Sequence, residues 1–240
     1  MRLSVAERVV PADGQRFHGP TPATSGAAMA DISAPQSDLL PALAVKRAID
    51  FIGSAGLLIL ASPLLIGTAL AIKATSAGPV LFRQQRYGLN NERFTIFKFR
   101  TMFANDGDSS GVNQTRTGDP RVTKLGSFLR RTNLDELPQL INVLRGDMSL
   151  VGPRPHVPGM LAGGMLYEVL VPSYFARHRV RPGMTGLAQI NELRGSTREA
   201  KFARARIAYD IAYIDHWSLI LDLRILWTTL KTELLRGTGN

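Results

Sequence analysis

The chain contains no cysteine and only four histidines in 240 residues. The first absence removes disulfides, thiolate-held zinc and thiol catalysis together. The histidines, His18, His156, His178 and His216, stand in no HxxxH or HExxH spacing, so a histidine-built metal centre is not expected and each reads as a surface or packing residue. Acids are also in the minority, 19 against 29 Lys and Arg, giving a net charge of +10 and a pI near 10.5. That excess calls for an anionic partner: nucleic acid, acidic lipid headgroups or a phosphorylated substrate. No apolar run or A-x-A-like site follows the first basic residue, so the opening stretch does not read as a secretory signal.

What is present is organised in three parts. Residues 1–43 are rich in Ala, Pro, Gly and Ser without hydrophobic periodicity, the composition of a disordered tail. Residues 44–74 centre on a run of 22 uncharged positions, 51–72, entered by Lys46 and Arg47 and closed by Lys73. As a straight helix that run is about 33 Å long, enough to span a hydrocarbon core. Ser62 and Pro63 stand at its middle, where the proline deletes the amide that would bond Ile59 and the serine hydroxyl can serve that carbonyl instead. A Pro-kinked span and a segment that dips in and returns both fit, and basic residues on both flanks favour the second.

Residues 75–240 carry the rest. GPVLFRQQRY and ERFTIFKFRTM, joined by GLNN, read as a β-hairpin, with Lys98 and Arg100 on one face of the second strand. A solvated basic edge is the bland alternative. Residues 104–117 are a polar loop, followed by Asp119 and Arg121 around a proline and a short helix that delivers Arg130 and Arg131. Residues 157–177 read as a weakly helical connection. RVRPGMTGLAQI then adds Arg179 and Arg181 beside a Pro-Gly pair, where close backbone approach is expected. Two helices close the chain, the last with a broad stripe containing Trp217, Leu223, Trp227 and Leu230, which fits either core packing or a membrane interface.

The most informative segment is LRRTNLDELPQLINVLRGDMSLVGPRP. Asn133 and Glu136 have the spacing of a capping box, and Pro138 is tolerable in a first turn. That places the adjacent acids Asp135 and Glu136 at a positive helix end, where carboxylates ionise readily and phosphate is attracted. Capping alone explains Glu136. It does not explain Asp135, nor Arg154 fixed between Pro153 and Pro155.

These stretches, in this order, resemble the bacterial sugar transferases, monotopic polyprenol-phosphate phosphoglycosyl transferases. The likeness covers about residues 44–236. It implies an α-rich α+β fold: a single monotopic membrane domain with a Pro-broken re-entrant helix at Ser62 and Pro63, a small β-hairpin and interfacial amphipathic helices. It implies that Asp135 is the nucleophile and Glu136 its partner acid, the two together holding Mg2+ or Mn2+. Arg130, Arg154, Lys98, Arg100, Arg121 and Arg181 are then expected to bind substrate phosphates, with Asp119 on a further motif position. The implied reaction moves a sugar 1-phosphate from a UDP-sugar to undecaprenyl phosphate, releasing UMP, through a covalent aspartyl intermediate that opens exopolysaccharide or related glycan assembly. Expected partners are both substrates, membrane lipids and downstream glycosyltransferases, with no nucleic acid, at the cytoplasmic face of a bacterial inner membrane. A non-enzymatic membrane adaptor accounts equally for the charge and the apolar segment. It leaves the dyad unexplained.

Overall fold

A computed structural model describes residues 39–104, 118–195 and 197–236. Most of the expected tail and of the expected loop 104–117 lies outside them. The chain divides into Met1–Pro41, of which only the three residues opening the first helix are described, and Ala42–Asn240, which carries everything below.

Helix α1 runs from Leu39 to Thr75. Its helical hydrogen-bonding pattern continues through Pro63. Ser62 Oγ donates to the Ile59 carbonyl at 2.7 Å, as expected, serving the oxygen that proline leaves without an amide. By length and composition α1 can cross a membrane, and Ile59, Leu60, Ile66 and Leu70 are exposed along it.

Both ends of α1 are nevertheless fastened to the remainder of the fold. Near its start, Lys46 Nζ pairs with Asp222 Oδ2 at 2.6 Å and donates to the Val151 carbonyl at 3.1 Å. Arg47 donates to the Val143 and Leu144 carbonyls at 2.8 and 3.1 Å, and Asp50 Oδ1 accepts from the Leu150 amide at 2.9 Å. Near its end, Ile72 is buried with Phe99 and Leu129. The flanking charges that suggested topology are therefore also structural contacts.

The hairpin forms as expected. Strands β1 (Leu81–Tyr87) and β2 (Arg93–Phe99) pair antiparallel from Leu81 opposite Phe99 to Tyr87 opposite Arg93. Asn90 and Asn91 take positive φ in the connection, a conformation asparagine tolerates better than most residues. The face carrying Ile96, Lys98 and Arg100 turns inward, so the solvated-edge reading of β2 does not hold. Helix α2 (Lys124–Arg131) starts on a Thr123 cap whose Oγ1 accepts from the Gly126 amide at 2.8 Å. A Cβ at Gly126 would lie 2.0 Å from the Thr101 carbonyl oxygen, so only glycine lets α2 close on the end of the hairpin.

Helix α3 (Gln139–Arg145) ends on Gly146 at φ 93. Its buried Asn142 accepts from the Phe97 amide at 3.0 Å and donates to the Thr95 carbonyl at 2.7 Å, locking α3 to β2. Strand β3 (Ser149–Val151) pairs parallel with β6 (Gly183–Thr185). The expected close approach is present there: a Cβ at Gly183 would lie 2.1 Å from the Gly152 nitrogen. Residues 157–177 hold less helix than expected, with a two-residue hairpin of β4 (Leu161–Ala162) and β5 (Met165–Leu166), the short α4 (Tyr167–Leu170) and a 3-10 segment, Tyr174–Arg179. After α5 (Leu187–Ile190), the two closing helices are α6 (Ala200–Asp215) and α7 (Leu219–Arg236). The main core joins Ile96, Leu140, Val143, Met148, Val151, Tyr213 and Ile225. Helix α7 thus packs inward through Ile225 while Ile220, Leu223, Trp227 and Leu230 stay exposed.

Candidate active site

Asp135 and Glu136 lie in a single 3-10 turn, Leu134–Glu136. The expected capping box is absent: Asn133 takes a left-handed conformation (φ 55, ψ 12), makes no side-chain cap, and Pro138 precedes the first residue of α3. Its amide Nδ2 instead donates to Glu233 Oε2 at 2.8 Å. A distant acceptor has replaced the local one, so the dyad is presented by a turn rather than by a helix end.

The two acids have different surroundings. Glu136 is gripped from both sides, by Lys98 Nζ at 2.6 Å and by Arg154, whose Nη2 and Nη1 reach Oε1 and Oε2 at 2.6 and 3.2 Å. Burial pushes its carboxyl up, but the charges and hydrogen bonds of Arg154 and Lys98 outweigh that and hold it well below the ordinary range. Asp135 is 8 % exposed, and among the described residues nothing hydrogen-bonds to or ion-pairs with its carboxylate. Burial raises it from 3.8 to about 6, opposed by Lys98. One acid is thus bound and permanently charged, the other unengaged and basic enough to share electrons above about pH 6.

A shell of arginines surrounds this turn. Arg130 Nε donates to Thr101 Oγ1 at 2.8 Å. Burial lowers its basicity, while the charges of Asp135 and Asp119 counteract that effect. Arg121 grips Asp119 with Nε and Nη2 at 2.9 and 2.7 Å, so those two motif residues form one unit. Arg100 Nη2 donates to both the carbonyl and the hydroxyl of Ser76 at 2.7 Å, and Arg181 Nε donates to the Gly146 carbonyl at 2.9 Å.

Two arginines that the sequence reading passed over support Arg154. Arg86 Nη1 donates to the Pro155 carbonyl at 3.1 Å. Burial brings its guanidinium down to about 10, with the Arg154 charge adding to the effect. Arg177, fully buried, donates Nη2 to the Arg154 carbonyl at 2.6 Å and Nε to Asp210 at 2.9 Å. Alternation along β1, which puts Gln84 and Arg86 on one face, is a signal for the first. No local pattern marks the second. His156 packs among Tyr167 and Tyr174 with Nδ1 3.3 Å from the Tyr174 hydroxyl, and burial keeps it well below its usual pKa, hence neutral.

No group of three or more potential metal ligands occurs among the described residues. Two neighbouring carboxylates still suit a magnesium-like ion that keeps most of its shell for water and substrate phosphate.

The Rhizobium leguminosarum exopolysaccharide production protein PSS is 54 % identical over 197 residues, which cover 82 % of this chain and 98 % of PSS. The Komagataeibacter xylinus undecaprenyl-phosphate glucose phosphotransferase is 51 % identical over 79 % of this chain, but that match takes up 36 % of the relative. The Caulobacter vibrioides UDP-glucose:undecaprenyl-phosphate glucose-1-phosphate transferase is 50 % identical over 81 % of this chain and 73 % of its own length. A match to the family described as bacterial sugar transferase extends over residues 41–236, from the start of α1 through the hairpin and the dyad to the end of α7. By that match the chain is an enzyme of the bacterial sugar transferase family.

Proposed function

We propose that this enzyme transfers a hexose 1-phosphate, with glucose the first sugar to test, from a UDP-sugar to undecaprenyl phosphate in two displacements. In the first, an Asp135 oxygen attacks the sugar-bearing phosphorus, the bond from that phosphorus to the bridging oxygen breaks, and UMP leaves with the bond's electron pair. In the second, an oxygen of undecaprenyl phosphate attacks the same phosphorus and releases Asp135. The observation that carries this reading is the contrast within the dyad: Glu136 is held by Lys98 and Arg154, whereas Asp135 is without a protein partner among the described residues.

The surrounding cations have defined tasks. Lys98, Arg154 and Arg130 offset charge on a diphosphate and on the departing UMP, while the planar fork of Arg154 fixes Glu136. Arg86 and Arg177 hold the backbone carbonyls that fix that fork. Asp135 and Glu136 are the residues that would hold a divalent cation, which supplies further charge neutralisation at the phosphates.

The lipid acceptor presents its phosphate only at a membrane surface, and the attachment of α1 agrees with that. Lys46 and Ile72 both contact the same catalytic fold, which disfavours ends on opposite sides of a bilayer roughly 30 Å thick. We infer a helix that enters and leaves on one face, the cytoplasmic one. Family membership among enzymes leaves the adaptor reading without support. The deciding experiment incubates purified protein with UDP-glucose, magnesium and undecaprenyl phosphate. Release of UMP is expected; release of UDP, or of neither nucleotide across a panel of UDP-sugars, would refute the assignment.

A further inference from the structure

The turn that presents Asp135 depends on Asn133, a non-glycine residue held at φ 55, ψ 12. Backbone bonds within the turn are few: Glu136 N to Asn133 O at 3.1 Å and Leu137 N to Leu134 O at 3.3 Å. Asp135 cannot steady itself, because no described residue binds its carboxylate. Its aim is inherited from the backbone on either side. On the Glu136 side, Lys98 and Arg154 fix the chain. On the Asn133 side, the contact comes from one hundred residues away, where Glu233 Oε2 accepts from Asn133 Nδ2 at 2.8 Å. Glu233 is itself oriented, since its Oε1 receives Arg194 Nη1 at 2.8 Å.

We propose that Glu233, near the end of α7, is a positioning residue for the first displacement. It holds Asn133 in the left-handed conformation and thereby aims the Asp135 carboxylate. The proposal rests on the reading of Asp135 as nucleophile. A carboxylate acceptor suits the role, because a charge-assisted hydrogen bond is shorter and stiffer than a neutral one. Partly exposed ion pairs such as Arg194–Glu233 contribute little to global stability. The effect of Glu233 therefore belongs in the rate, where small misplacements of a reacting group are costly.

The test uses the full chain in detergent or nanodiscs, with UDP-glucose and magnesium and no lipid acceptor, and reads the single-turnover rate of UMP release. Glu233→Ala is expected to slow that rate about tenfold or more, with UDP-glucose affinity and Tm close to wild type. Glu233→Gln keeps an acceptor oxygen for Asn133 and is expected to recover most of the rate. Asn133→Gly permits the positive φ but removes the amide, so it should slow the step comparably. The double variant Asn133→Gly/Glu233→Ala should then be no slower than the worse single, as for two residues acting through one contact. Multiplying losses in the double variant, an unchanged rate in Glu233→Ala, or a loss that follows Tm and affinity in parallel would each overturn the proposal. Asp135→Asn separates the two levels. If it still releases UMP, the nucleophile and the positioning claim both fall; if it is silent while Glu233→Ala runs at the wild-type rate, only the positioning claim falls.

Discussion

Arg154 meets Glu136 at two points, Nη2 to Oε1 at 2.6 Å and Nη1 to Oε2 at 3.2 Å. A lysine can occupy one of those points but not both. Arg154→Lys is therefore expected to lower kcat/KM for UDP-sugar at least about tenfold, roughly 1.4 kcal/mol of transition-state stabilisation. Steady-state UMP release, together with a circular dichroism check of the fold, measures it. Near-wild-type turnover would make Arg154 a structural turn residue only.

The same fork separates the titrations of the two acids. Glu136 stays ionised across the working range, while burial places Asp135 at about 6. Single-turnover UMP release without lipid should therefore rise with pH as one proton leaves, with a midpoint near 6, and level off above it. A flat profile from pH 5 to 8 would remove Asp135 as the titrating nucleophile.

Burial of Asp135 also predicts an effect on stability. Its folded pKa, about 6, lies above the ordinary 3.8, so the unfolded chain releases this proton first as pH rises. The ionised group therefore weakens the fold progressively between about pH 4 and 6 and by a constant amount above. Asp135→Asn removes that charge, so it should abolish turnover and the covalent sugar-phosphate mass while raising stability at pH 7.5 by on the order of 2 kcal/mol. The gain should vanish near pH 4. Thermal melts across this range decide it, and a lowered Tm at pH 7.5 would contradict the burial argument.

Topology is testable because the natural chain has no cysteine. Lys46 is engaged with Asp222, so its exposed neighbour Val45 is the better probe, paired with exposed Lys73. Val45→Cys and Lys73→Cys should both resist an impermeant thiol reagent in intact cells and both react after lysis. Labelling of either from outside would establish a spanning helix.

Elements with short-range causes were legible in the sequence. The hairpin follows from alternation and an Asn-rich turn, and the closing helices from their stripes. Adjacent acids and a proline-flanked arginine likewise mark the dyad and its clamp. Residues whose partners lie far along the chain were misread or missed. Asn133 looked like a cap because position 136 is acidic, but its partner is Glu233. Arg100 Nη2 and Arg181 Nε likewise find their acceptors, at Ser76 and Gly146, well away in sequence, so no local pattern marks those contacts. Arg177 was invisible for the same reason, since its roles depend on Arg154 and Asp210 converging on it.

The fastening of α1 by Lys46, Arg47, Asp50 and Ile72 makes this helix an integral wall of the enzyme rather than an exchangeable tether. Replacing it with an unrelated apolar segment would take the α1 donors from the Val143, Leu144 and Val151 carbonyls and the acceptor from the Leu150 amide, and leave Asp222 without its lysine. A water-soluble version is therefore not reached by truncation before Leu81. It requires α1 to be kept and only its outward apolar side chains, such as Ile59, Leu60 and Ile66, to be recoded as polar ones.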